Sequence, residues 1–492
     1  MASPHIGIIG GGIAGSTAAL HFAEQGLNVS IFEQGQSLVD GPPICHLHAG
    51  GNLYREISEQ QCIQLLKESI DTVKLYRHTL NVRPTVIAVP TQDNGQPEEL
   101  LPRLQVIQKA YQQLVAQDSS NQVLGEPQYY FKLYSKDELI NLAQQNTPEL
   151  NSMTEQSLDE WMIPFAQHTD LDKLKYPVVL VQEYGLSVFR LSATVNLALE
   201  QLPNCQVHTQ TQVMGVEPKG KQWQIAFKPT DTQTSQAEQT IKVDYLINAS
   251  GYKTGVVDDW VKMPRSRLVE FKAAYVTHWQ AGSAMWPEVI FHGERGTPQG
   301  MAQLTPYPDG FFQLHGMTED ITLFEDGVAE STEESSQPKL PMYLVNKIIH
   351  GWDEQQQILR TKKAIDHMAQ FIPSFATATF GGRPLFGAQQ VPGTDITLRA
   401  ASVSFAGDNY ARLEIVKASS AIEAARQVEA DMRQKGYIVG QPDQFEGHAE
   451  KKVTPSSQLG MQQILQKANI LAKQRNYPTA LAKVGGIRRN EK

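Results

Sequence analysis

With 492 residues, 41% of them hydrophobic and 19% charged, the chain is long enough for two or three domains around a substantial core. Its net charge of −9 argues against nucleic-acid binding by the body of the protein, and Cys45, Cys62 and Cys205 form neither a disulfide framework nor a paired Cys/His zinc pattern, so no metal is expected. No basic segment followed by an apolar stretch opens the chain and no run of about 18 apolar residues occurs, which points to a cytoplasmic protein in a reducing compartment.

His5 to Ile9 is a short apolar run of strand length, followed at once by Gly10-Gly11-Gly12-Ile13-Ala14-Gly15 in the pattern G-x-G-x-x-G. Gly10 permits a tight turn, Gly12 lets a pyrophosphate approach the backbone, and Gly15 lets the next helix, from about Ala14 to Gln25, pack closely on the strand. A second strand, Asn28 to Phe32, ends in Glu33 about 20 residues beyond the glycines, placed to accept hydrogen bonds from an unphosphorylated ribose. Strand, turn, helix, strand and acid arrive in the order of a dinucleotide site; a purely structural βαβ unit is the alternative, and the fingerprint does not separate FAD from NAD.

A loop from Gly35 to Gly51 follows, containing His46-Leu47-His48-Ala49-Gly50-Gly51. Residues 55–82 and 100–115 carry apolar residues at helix spacing around a strand-like Val82 to Val89, and Ser135-Lys136-Asp137-Glu138 opens another helix in capping-box form. Pro177 to Val181 resumes strand character before a helix over Leu191–Leu202. Val207 to Val213, Trp223 to Phe227 and Ile241 to Ile247 read as strands, the last running into Asn248-Ala249-Ser250-Gly251. Strand-like pieces continue from Val269 to Phe324, with Tyr307-Pro308-Asp309-Gly310 as a turn before Phe311 to Gly316. Met342 to Ile349 and Gln355 to Phe371 read as helices. Gly381-Gly382-Arg383-Pro384 follows, then a strand Val403 to Ala406 entering Gly407-Asp408, and a long helix over Leu413–Gln434.

This order resembles the D-amino-acid oxidase superfamily of flavoproteins with a two-dinucleotide-binding fold, which includes glycine and sarcosine oxidases and related dehydrogenases. The resemblance implies an α/β chain with a discontinuous Rossmann-like FAD-binding domain (1–54, 177–260 and 374–440) and an antiparallel-sheet substrate domain (261–373); by their own helical spacing, 55–176 reads as a mainly helical insertion and 441–492 as a basic helical tail. It further implies that Gly10, Gly12, Gly15 and Glu33 hold the ADP half of FAD, with Ile13, Ala14 and Gln34 beside them. Val213 would meet adenine through its backbone, and Ala249, Ser250 and Gly251 would approach the cofactor. His46, His48, Ala49 and Gly50 would lie where the loop meets the flavin ring, with plain contact or covalent attachment through His48 as alternatives. Gly407 and Asp408 would close the site, Asp408 on the ribityl hydroxyls.

The implied activity is an FAD-dependent oxidation of a small amine, amino acid or hydroxy acid by hydride transfer to flavin N5. Such a substrate needs a cation for its carboxylate, and Arg383, in an Arg-Pro context like that of the superfamily, is the candidate; a structural salt bridge is the alternative reading. Tyr307 and His315 flank the expected substrate sheet and are further catalytic candidates. Gly407-Asp408 also suggests a flavin monooxygenase or halogenase, and a non-catalytic flavoprotein scaffold is a third reading. Residues 447–492 carry a net charge of +7, and Met461, Ile464, Leu465, Ala468, Leu471 and Ala472 form one helical face. That face could dock on the protein's own acidic surface, on a membrane surface or on a partner.

Overall fold

A computed structural model describes residues 3–42, 47, 57–147, 157–230, 237–280, 285–398, 403–439 and 454–486. The glycine-rich start forms as its pattern dictates: strand His5–Ile9, helix Ile13–Glu24 ended by Gly26 at φ +87°, and strand Asn28–Phe32. These strands sit in the middle of a six-stranded sheet. Cys205–His208, Asn28–Phe32, His5–Ile9, Tyr245–Asn248 and Tyr410–Leu413 run parallel in that spatial order, and Val403–Ala406 closes one edge antiparallel. Both faces are covered, so strand residues such as Ile6, Ile8, Ile31 and Ile247 are wholly buried, as a parallel sheet requires.

Two stretches that alternate like single strands are broken in the structure. Ile241 to Ile247 divides at Asp244: Gln239–Val243 joins a three-stranded antiparallel sheet, whereas Tyr245–Asn248 enters the parallel one. The cause is a two-point clamp, in which the Asp244 N–H donates to His5 O (2.7 Å) and the His5 N–H donates to the Asp244 carboxylate (2.8 Å). Val207 to Val213 divides at Gln210, whose φ of +48° turns the chain out of Cys205–His208 and into Thr211–Lys219.

The second large unit is a nine-stranded, mostly antiparallel sheet in which Arg267–His278, near one edge, pairs with three other strands. Thr85–Pro90 and Phe131–Tyr134, from the stretch expected to be mainly helical, are strands of this sheet; Thr85–Pro90 is buried throughout and pairs with Glu288–Phe291 and Leu174–Val181. Thr379–Pro392, expected with the dinucleotide sheet, instead pairs antiparallel with Arg267–His278 along nearly its whole length. The chain returns to the parallel sheet only at Val403. A second core of Phe271, Tyr275, Trp279, Phe291, Phe312 and Phe371 fills the space beneath this sheet, against helix Glu354–Ala369.

The expected long helix over Leu413–Gln434 is shorter. Leu413 ends a parallel strand, a 3-10 turn covers Ala418–Ser420, and the helix spans Ala421–Gln434. The C-terminal segment docks on the protein itself. Helix Met461–Gln474 buries Ile464, Ala468, Leu471 and Ala472, packing on helix Val188–Leu199, and Lys467 pairs with Glu200. That apolar face is therefore covered by the chain's own surface. Among the described residues, no helix is long and apolar enough to cross a membrane.

Candidate active site

The parallel strands direct their C-terminal ends at one cavity of about 1200 Å³, and the large sheet supplies the opposite wall. On the near side the glycines act as their spacing requires. A Cβ on Gly10, which sits at φ +102°, would stand 2.3 Å from Ala249 O, and one on Gly15 would stand 1.9 Å from Gly10 O. Gly10 and Gly15 are thus demanded by the fold. Gly12 differs: a Cβ there meets nothing within 4 Å, because the position opens into the cavity together with Ile13 and Ala14 at the start of the helix. Unpaired N–H groups and the helix dipole make this edge receptive to an anion.

Glu33 closes the second strand with its carboxylate accepting from the N–H groups of Gly11 (2.8 Å) and Gly35 (2.6 Å). Burial pushes its carboxyl above the ordinary value, against the opposing pull of those two hydrogen bonds. Gln34 beside it accepts from Lys253 Nζ at 3.1 Å. Val213 stands on the edge strand of the small sheet, two residues beyond Thr211, whose N–H donates to Glu33 O. Ala249 and Gly251 line the cavity, and the Ser250 hydroxyl donates to Ile9 O at 3.2 Å, holding the turn between them. His46, His48, Ala49 and Gly50 lie outside the described residues.

Gly407 and Asp408 are elsewhere. They form the hairpin turn between Val403–Ala406 and Tyr410–Leu413, which puts them at the start of the last parallel strand, whereas the cavity lies at its end. Gly407 O accepts from Lys435 Nζ (3.3 Å) at that opposite edge. The closing wall is built instead by Leu413, Ile415, Val416, Lys417 and Ala418.

Of the three catalytic candidates, His315 lines the cavity. The Tyr307 hydroxyl is 3.2 Å from Gln313 Oε1, at the start of the Pro308–Gly310 turn and off the cavity wall. Arg383 is exposed: its Nη1 donates to Arg475 O (3.2 Å) and its guanidinium lies 5.0 Å from the Tyr477 ring centroid. Arg383 lies on the strand Thr379–Pro392 of the large sheet, and the cavity wall begins four residues later, at Gly387, Ala388, Gln389 and Gln390. Arg383→Ala should therefore leave KM unchanged within about twofold and remove only the roughly 0.5–1 kcal/mol of an exposed cation–π contact. A rise in KM for a carboxylate substrate at unchanged stability would contradict this placement.

Besides Lys417, the cations Lys272 and Arg295 line the cavity, and the motifs did not single them out. Both pair with Glu270, Lys272 at 2.7 Å, and Glu270 is only 2% exposed. Burial works against the Glu270 charge, yet the two neighbouring cations outweigh it and hold its carboxyl below the ordinary value. One signal was available. Glu270 and Lys272 interrupt the otherwise apolar run Leu268 to Val276 two residues apart, and so share one face of the strand.

Residues 8–39 match the family model of an NAD(P)-binding Rossmann-like domain. No curated protein matches the chain. Among solved structures, L-proline dehydrogenase from P. horikoshii superposes with a TM-score of 0.56 at 14% identity, covering 88% of this chain and 94% of that one. Glycine oxidase from Geobacillus kaustophilus gives 0.55 at 12% identity over 88% and 95% of the two chains. L-alpha-glycerophosphate oxidase from Mycoplasma pneumoniae, with FAD bound, gives 0.54 at 13% over 88% and 95%. The chain has the fold of these oxidoreductases. The similarity read from the glycine turn, Glu33 and the Asn-Ala-Ser-Gly strand end thus extends over nearly the whole molecule, far beyond the 32 residues of the Rossmann match.

Proposed function

We propose that this protein is an FAD-dependent oxidoreductase acting on a small anionic amine, amino acid or hydroxy acid. The observation that carries the reading is a single cavity with the glycine turn on one wall and the Lys272–Glu270–Arg295 cluster on the other. The residues present fit the cofactor. Gly12 leaves open space at a helix start for a pyrophosphate, and Glu33 stands where a ribose is expected. The chemistry supplied by bound FAD is acceptance of a hydride, which leaves to the chain the placement and charge of the substrate.

Lys272 and Arg295 both pair with the buried Glu270 carboxylate and line the cavity, whose wall also carries Asp93, Glu294 and Lys417. Glu270 fixes both side chains in advance, so little ordering remains when an anion binds. Arg295 offers a planar fork and Lys272 a point charge, together suited to a carboxylate or a phosphate. The neighbours named for proline, glycine and glycerophosphate support an anionic substrate of this size. The displacement of Gly407-Asp408 to the far edge removes the feature that suggested a monooxygenase or halogenase.

Anaerobic mixing of the FAD-loaded protein with amines, amino acids, hydroxy acids and NADPH tests the proposal, with bleaching of the yellow colour expected from a carboxylate-bearing substrate. Arg295→Met should then raise KM for that substrate by roughly 10- to 150-fold, the equivalent of a charge-assisted hydrogen bond of about 1.5–3 kcal/mol, at unchanged FAD content. A matched amine without the carboxylate should be nearly indifferent. Bleaching by NADPH alone, or equal losses on both substrates, would count against the reading.

A further inference from the structure

Resting on the FAD reading, we propose that Arg475, at the end of the C-terminal helix, is a positioning residue for the cofactor site, acting by holding Val39 in a left-handed backbone conformation. Val39 has φ +58°. A β-branched residue rarely adopts this region, and such a conformation persists only where its surroundings impose it. Val39 is also buried, and with Gly41 and Pro42 it lines the cavity beside Gly12.

The restraints on this loop come from two sides. From within the dinucleotide unit, the Val39 N–H donates to Gly11 O at 2.7 Å, and the Ser192 hydroxyl donates to Leu38 O at 2.6 Å. From the far end of the chain, helix Met461–Gln474 delivers Arg475 at its C-cap, with its side chain only 9% exposed. Its Nη1 donates to Val39 O (2.7 Å), its Nη2 to Ser37 Oγ (2.7 Å), Leu38 O (3.3 Å) and Ser192 Oγ (3.0 Å), and its Nε pairs with Asp40 (2.7 Å). One guanidinium thus engages four consecutive residues, 37 to 40. A planar fork with fixed donor directions can dictate the peptide orientation on both sides of Val39, as a lysine cannot.

The loop has nowhere to relax without disturbing the cavity. Leu38 packs where a Cβ on Gly11 would stand, 2.7 Å from its Cδ2, and Pro42 occupies the space above Gly387 on the large sheet. Releasing Val39 to an ordinary conformation would swing this segment relative to Gly11, which it contacts, and to Gly12, the position assigned to the pyrophosphate. The basic C-terminal segment therefore has a use beyond covering apolar surface.

The test is a double-mutant cycle on the full-length protein, reading the FAD dissociation constant by titrating apoprotein against flavin fluorescence. Arg475→Met should weaken FAD about ten- to a hundredfold, and Arg475→Lys, which keeps the charge on Asp40 but loses the fork, should fall between it and the parent. Val39→Gly removes the conformational penalty, so adding Arg475→Met to that background should cost less than about threefold. Equal losses in both backgrounds, or an Arg475→Met protein that binds FAD like the parent, would overturn the proposal. Hydrogen exchange of amides 37–42 without any dinucleotide judges the clasp separately: faster exchange in Arg475→Met, restored protection in the double variant, is expected, and unchanged exchange overturns it. If the parent binds no FAD, the function proposed above fails, and the exchange result still decides whether Arg475 holds the loop.

Discussion

Gly12→Val should give a folded protein that binds no FAD. The two halves of this expectation have separate causes. Folding is spared because a Cβ at position 12 meets nothing within 4 Å, so the side chain displaces no protein atom. Binding is lost because the same open space is where a pyrophosphate must approach the helix start, and valine fills it. FAD affinity should fall by at least about a thousandfold, equivalent to roughly 4 kcal/mol. The control is Gly15→Val, whose Cβ would stand 1.9 Å from Gly10 O and 3.1 Å from the Ala249 side chain, so it should lose stability as well as cofactor. Absorbance at the flavin bands after gel filtration, alongside circular dichroism, separates the outcomes. A yellow Gly12→Val protein would remove the pyrophosphate from this turn.

How far this site could be read in advance depended on whether its determinants were local in the chain. Gly10, Gly12, Gly15 and Glu33 fall within 24 residues, and each is fixed by the geometry of one strand–turn–helix unit, so their placement could be read from the sequence. Gly407-Asp408 failed for a directional reason. An apolar run entering Gly-Asp resembles a strand leaving toward a ligand, but Val403–Ala406 is the antiparallel edge strand, and the parallel one, Tyr410–Leu413, begins after the turn. That strand is only four residues long, and its last residue, Leu413, falls in the helical pattern that follows. Arg383 failed by register: it shares a strand with the cavity-lining Gly387 to Gln390, and which positions face the ligand is decided by pairing with Arg267–His278, more than a hundred residues earlier. Arg475 gave no local signal at all, because its partners at 37 to 40 are brought to it only by the docking of the last helix on Val188–Leu199.

The edge of the site that follows Leu413 is held by a buried ionic cluster, and its loss should have the largest effect on stability. Asp258, 0% exposed, pairs through one oxygen with Arg412 Nε (2.5 Å) and the Tyr410 hydroxyl (2.6 Å), and through the other with Arg267. Arg267, also 0% exposed, reaches Glu414 at 3.4 Å, and Glu414 pairs in turn with Arg265 at 2.7 Å. Tyr410 accepts from Asn248, so the cluster ties the two parallel strands whose ends frame the cavity. Asp258→Asn keeps the shape but removes the charge shared by two buried guanidinium groups, one of which has only the distant Glu414 in reserve. Breaking a buried pair in this way costs about 3–5 kcal/mol, because a desolvated charge is left without its partner. The exposed pair Lys362–Asp366 provides the contrast: both side chains are more than half exposed, and Asp366→Asn should change stability by no more than about 0.5 kcal/mol. Urea unfolding of the two variants should therefore differ several-fold in effect, with Asp258→Asn also releasing FAD at lower urea than the parent. Similar small shifts in both would mean that the Arg267–Asp258–Arg412 contacts are replaceable and that packing alone holds the last parallel strand in place.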